Sequence, residues 1–188
     1  MLLQNIKKFL FGLVVCLPLL SFSLQAQQLT GIATQWNDSF AEWIIYTDIE
    51  GEEGELRLRW NTRNDWTQWE YRIGEYTGQI RTKWPNRIDE WETRGENLIV
   101  DARAVWRNDP REWRINSPEG HQYKWRSRYG NTFDEWVVDT ERYGFFEMYT
   151  AFEGDPREWI IVDELEASLP EKMMLIFITI INNSMPKQ

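Results

Sequence analysis

Long stretches of the chain alternate between apolar and polar side chains. Leu56, Leu58 and Trp60 fall on one side of the alternation, with Arg57 and Arg59 on the other. Ile80, Thr82 and Trp84 oppose Gln79, Arg81 and Lys83, and Leu98, Val100, Ala102, Ala104 and Trp106 form a third row. Tyr123, Trp125, Ser127 and Tyr129 oppose Lys124, Arg126 and Arg128. A period of two marks a strand with one buried and one solvated face. Return strands open on a Trp, as in Trp43-Ile44-Ile45-Tyr46, Trp113-Arg114-Ile115, Trp136-Val137-Val138 and Trp159-Ile160-Ile161. The pattern predicts an all-β chain of twelve strands, near 29–36, 43–49, 55–60, 66–73, 79–84, 91–95, 98–106, 113–116, 121–129, 136–140, 145–152 and 159–163. All connections are short, so sequence neighbours pair antiparallel in a meander.

The aromatics impose a repeat on these strands. An aromatic residue is followed about seven places later by a Trp: Trp36 and Trp43, Trp60 and Trp66, Trp84 and Trp91, Trp106 and Trp113, Tyr129 and Trp136, Phe152 and Trp159. The leading aromatics recur at intervals of 24, 24, 22, 23 and 23 residues. Turn formers stand inside each pair, among them Asn37-Asp38, Asn61-Thr62, Pro85-Asn86 and Gly154-Asp155-Pro156. An acid precedes each second Trp: Glu42, Asp65, Glu90, Glu112, Glu135 and Glu158. Six copies define a hairpin repeat of about 23 residues, whose framing aromatics are expected to build the core. The Trp60–Trp66 copy is one residue short, which predicts a bulge there and Trp69, Tyr71 and Ile73 as its inward set.

The tail departs from this pattern. Met173 to Ile181 is apolar except at Thr179. Ser168 followed by Glu171 reads as a capping box, with Pro170 in the first turn. These signals predict a helix over 169–183, although the β-branched Ile176, Ile178, Ile180 and Ile181 would also suit a thirteenth, doubly buried strand. A helix apolar on all sides must be buried on all sides. Side chains alone fill an eight-stranded barrel but not a twelve-stranded one. The expected architecture is therefore a closed barrel threaded by the hydrophobic C-terminal helix. In this the chain resembles the tubby-like superfamily, with its LURP-one-related and scramblase-like members, in strand count and in the segment 169–183. The resemblance implies the shape. Phosphoinositide or membrane binding, which such families achieve with basic residues, has no residue-by-residue match here.

Residues 1–26 read as a secretory leader: Lys7 and Lys8, an apolar run from Phe9 to Leu20, and a small, polar exit ending at Ala26. The run is too short for a membrane span, and Cys16 lies within it rather than at a lipoprotein cleavage site. The mature domain is then 27–188, exported to the periplasm or beyond, with no transmembrane span expected. The chain has 21 Lys and Arg against 30 Asp and Glu; losing Lys7 and Lys8 leaves 19 against 30, or −11. That balance argues against nucleic acid and bare anionic membranes as partners. The only Cys is in the leader, so no disulfide or thiol chemistry is expected of the domain.

Candidate chemistry is sparse, and no cofactor or metal is implied. His121, the only histidine, follows Ser117-Pro118-Glu119-Gly120 and is expected in a solvated turn. The acidic segment 48–55 lacks the ligand spacing of an EF-hand loop. The acids before each second Trp are expected to serve the turns or neighbouring arginines. The basic rows Arg57 and Arg59, Arg81 and Lys83, and Arg126 and Arg128 beside Lys124 either meet acids on neighbouring strands or take an anionic ligand. Trp69, Trp125 or another aromatic outside the frame would contact a ligand if exposed. The expected function is a non-enzymatic exported binding or scaffold protein for a glycan, lipid or cell-envelope protein. A carbohydrate- or lipid-binding module using exposed Trp is the alternative, and a carboxylate-based hydrolase a second one.

Overall fold

A computed structural model describes residues 28–61, 65–85, 87–138, 140 and 142–184. The leader expected over 1–26 lies outside the described residues. Twelve strands follow one another: β1 (Leu29–Trp36), β2 (Ser39–Thr47), β3 (Glu53–Trp60), β4 (Asp65–Ile73), β5 (Tyr76–Thr82), β6 (Glu90–Gly95), β7 (Leu98–Trp106), β8 (Asp109–Asn116), β9 (Gln122–Ser127), β10 (Glu135–Val138), β11 (Gly144–Phe152) and β12 (Asp155–Leu165). Each pairs antiparallel with its sequence neighbours, and β1 closes on β12 with Ile32 opposite Trp159. The result is the expected closed meander barrel, which leaves no exposed sheet edge.

Among the described residues a single helix, α1 (Leu169–Ser184), runs through the barrel and is buried from Pro170 to Ile181. The capping signals therefore outweigh the β-branched run. The barrel wall already satisfies its own backbone groups, so the chain inside must satisfy its own, as a helix does. Ser168 N–H and Oγ–H both donate to Glu171 Oε2 at 2.7 Å, the reciprocal half of the capping box. Phe177 meets Trp69 and Trp91 edge-on, with centroids 5.8 and 4.6 Å away. Thr179, the one polar residue in the apolar run, accepts the Trp125 indole N–H at 3.1 Å and donates to the Leu175 carbonyl. The hairpin β9–β10 is thereby tied to the helix by a polar contact inside the core.

Two features of the interior were not legible in the alternation. Lys172 is buried and bridges Asp163 Oδ2 at 2.8 Å, an oxygen that also accepts the Leu29 N–H. This pair fastens the start of α1 to β12 and β1 where the barrel closes. Tyr71 lies across two inward glycines, Gly78 and Gly95. A Cβ at those positions would stand 2.2 Å from Tyr71 Cζ and 2.5 Å from its hydroxyl, so larger residues would collide with the ring. Among the described residues, no helix is long and apolar enough to cross a membrane.

The framing aromatics correct the expectation of a uniform core set. Trp43, Trp91, Trp113, Trp136 and Trp159 are buried, as expected. Trp36, Trp60, Trp84, Trp106, Tyr129 and Phe152 are exposed, from 39% at Trp60 to 66% at Phe152. Trp66 is half-buried and Trp69 takes the inward place in its hairpin.

Candidate functional site

The division of the aromatics follows from a five-residue unit repeated in every hairpin. Aligned on the buried indole, the copies are Ser39-Phe40-Ala41-Glu42-Trp43, Asp65-Trp66-Thr67-Gln68-Trp69, Arg87-Ile88-Asp89-Glu90-Trp91, Asp109-Pro110-Arg111-Glu112-Trp113, Thr132-Phe133-Asp134-Glu135-Trp136 and Asp155-Pro156-Arg157-Glu158-Trp159. In all six the Trp N–H donates to the carbonyl three residues back, at 2.8–2.9 Å. Where the unit opens with Ser or Asp, that side chain caps the N–H two residues on, in Ala41, Thr67, Arg111 and Arg157. The second copy is therefore complete. Its Trp is Trp69 rather than Trp66, and its fourth residue is Gln68 rather than Asp65.

In four of the hairpins a bulge precedes the outward-turned leading aromatic. Leu58 faces Trp69 and Trp60 faces Asp65, so one residue of β3 stands against three of β4. The same shift separates Ala104 from Trp106, Thr34 from Trp36 and Thr150 from Phe152. Such a bulge adds local twist and re-aims the side chains beyond it, so the alternation of the strand does not continue to its last aromatic. The tips use left-handed residues where the turn requires them, Asn108 at φ 66° and Gly154 at φ 74°. Odd-numbered strands all run the same way in a meander. The six leading aromatics, at or just past the ends of those strands, therefore form a belt around one end of the barrel.

Within the belt the indoles are held by the fourth residue of the unit. Trp36 N–H donates to Glu42 at 2.8 Å, Trp84 to Glu90 at 3.0 Å and Trp106 to Glu112 at 3.4 Å, while Trp60 donates to Gln68 at 3.3 Å. The acids before the second Trp thus serve neighbouring indoles as well as cations: Glu90 pairs with Arg87, Glu112 with Lys124 and Glu135 with Arg128. The indole N–H is fixed in each while the residue stays exposed, from 39% at Trp60 to 60% at Trp106. Beside Trp36 lies a hollow of about 200 Å³ bordered by Gln35, Glu42, Glu55 and Arg57. It adjoins a wider trough of about 670 Å³ that shares Glu55 and Arg57 and reaches Gln79, Arg94 and Asn97.

The residues singled out by sequence fall into two groups. Trp69 and Trp125, at 1% and 0% exposure, lie inside the barrel and offer no ring to a ligand outside it. Arg57 lies on the outer wall, paired with Glu70 at 2.6 Å, and borders both concavities. Arg59 sits over the Trp60 ring at 5.2 Å and reaches Gln79. Arg128 bridges Glu135 and Glu147; burial and the neighbouring Glu135 raise the Glu147 carboxyl above its ordinary range. Arg126 is half-buried beside Val137 of β10. Arg81 pairs with Glu92 and Lys83 with Asp101, so the basic rows are largely met by acids across the strands. His121 is not in open solvent: its Nδ1 lies 3.1 Å from the buried carboxylate of Glu171.

The turn carboxylates give a pH prediction. Hydrogen bonds from Arg87, Arg111 and Arg157 hold Asp89, Asp109 and Asp155 below the usual carboxylate range. An acid depressed in the folded state adds stability that is present above its unfolded pKa, about 3.9, and is lost as pH falls through the lower folded value. Thermal melts should therefore decline below about pH 4. Asp109→Asn with Asp155→Asn should make that decline shallower. An unchanged acid limb would show these pairs to be energetically idle.

Compared with known proteins, the chain matches no protein family, no curated protein and no solved structure.

Proposed function

We propose that this chain is an exported, non-enzymatic carbohydrate-binding protein that takes up glycans on the aromatic belt. One observation carries the reading: in all six hairpins an aromatic is turned out of the core, and four of these are Trp with the indole edge already hydrogen-bonded. An exposed Trp contributes little to folding, so its recurrence at one place in each repeat suits a surface that stacks ligand. A flat ring beside fixed carboxylates, amides and guanidinium groups matches the alternating apolar faces and hydroxyl edges of a sugar. The hollow at Trp36 and its adjoining trough combine these groups, with Arg57 and Glu55 shared between them.

A lipid surface is the less favoured ligand. Below the belt the wall carries Arg57–Glu70, Arg81–Glu92 and Lys83–Asp101, and the chain as a whole is at −9. Insertion would strip water from those pairs, and an anionic headgroup would meet like charge. The likeness to the tubby-like superfamily is proposed as one of architecture and brings no ligand with it.

A glycan microarray probed with the purified chain tests the reading, with phospholipid vesicles as the second arm. Retention on neutral or zwitterionic glycans, with no partition into vesicles, is expected. Vesicle binding with no glycan retained would overturn it.

A further inference from the structure

The opposite end of the barrel, where α1 begins, gathers a second set of polar side chains. Glu119 and His121 come from the β8–β9 connection and Glu171 from the first turn of α1. One ligand atom from each lies within 4.8 Å of the other two. Glu171 is fully buried, while Glu119 reaches the surface. Two carboxylates this close repel one another unless a cation lies with them. Lys172, the nearest lysine in sequence, is committed to Asp163.

Two of the three donors, His121 and Glu171, are held in place. Tyr143 packs on the imidazole with centroids 4.6 Å apart, and Tyr123 meets its edge at 5.9 Å. Ser168 fixes Glu171 Oε2 through two bonds of 2.7 Å and leaves Oε1 facing His121. Tyr123 O–H donates to that same Oε1 at 3.3 Å. Hydrogen bonds of this kind orient the ligands of protein metal sites.

We propose that Glu119, His121 and Glu171 form a binding site for a divalent transition metal ion of the zinc type. One imidazole nitrogen and two carboxylate oxygens are a zinc-competent set, with the fourth position open to water beside Glu119. The ion takes the place of the proton between His121 Nδ1 and Glu171 Oε1, and His121 then carries its proton on Nε2. It ties the β8–β9 turn to the helix start, at the other end of the barrel from the belt.

Equilibrium dialysis of the full chain against micromolar Zn²⁺, with metal content measured, tests the site. One zinc per chain is expected. His121→Gln and Glu119→Gln should each weaken binding at least about ten-fold. Glu119 lies in an exposed turn, so its variant is expected to fold even if the histidine variant does not. No zinc retained by the native chain, or undiminished affinity in Glu119→Gln or in folded His121→Gln, would overturn the proposal, since the ion would then be absent or held by scattered surface carboxylates.

Discussion

A chain cut before Glu171 is expected not to fold. The eight large apolar side chains Met173, Met174, Leu175, Ile176, Phe177, Ile178, Ile180 and Ile181 are all buried by the barrel wall. At about 1.5–3 kcal/mol each, their burial amounts to about 12–24 kcal/mol, beyond the net stability of about 5–15 kcal/mol typical of a domain. The wall would also lose the partners of Trp69, Trp91 and Trp125. Size-exclusion chromatography and near-ultraviolet circular dichroism should report aggregate or a chain without fixed packing. Phe177→Asp should do almost the same, because a lone carboxylate between Trp69 and Trp91 has no cation to meet. Asn182→Asp loses a single long hydrogen bond to the Pro110 carbonyl and should be tolerated by comparison. A truncated chain that stayed monomeric with an unchanged melting point would make the segment a peripheral tail.

Trp113→Ala is expected to cost about 3–5 kcal/mol, and Trp106→Ala, seven residues earlier in the same hairpin, about 0.5 kcal/mol or less. Trp113 is 2% exposed and Trp106 is 60% exposed. Truncating the first leaves a cavity beside Trp125 of the next strand and removes the N–H that closes the Pro110 turn at 2.8 Å. Truncating the second removes a solvated ring and one bond of 3.4 Å to Glu112. Urea unfolding of the two variants should separate them by several kcal/mol at similar slope. Equal losses would mean that the exposed ring is part of the fold.

Much of this architecture was legible in the residues. The alternation placed the twelve strands, and Ser168 with Glu171 placed the helix start, because both patterns reflect local geometry that tertiary context did not override. The direction of the leading aromatics was not legible. Period two carries Trp60 to the side of Leu58 and Trp106 to the side of Ala104; the register shifts between Leu58 and Trp60 and between Ala104 and Trp106 interrupt that alternation. A signal for this was present. Counting back from Trp69 instead of Trp66 gives Asp65-Trp66-Thr67-Gln68-Trp69, in register with Asp109-Pro110-Arg111-Glu112-Trp113. The contact between His121 and Glu171 joins residues 50 apart in sequence. It depends on β12 delivering the start of the helix to the barrel end that carries the β8–β9 connection, which no local pattern encodes.

In the proposed function the outer aromatics act in binding and the inner ones in folding. The most direct test is the affinity of Trp36→Ala/Trp84→Ala/Trp106→Ala for a glycan retained by the native chain, measured by isothermal titration calorimetry on protein with a native-like melt. Stacking is expected to carry the binding, so the triple variant should show no measurable heat while remaining folded. A triple variant that bound the same glycan with unchanged affinity would contradict the account.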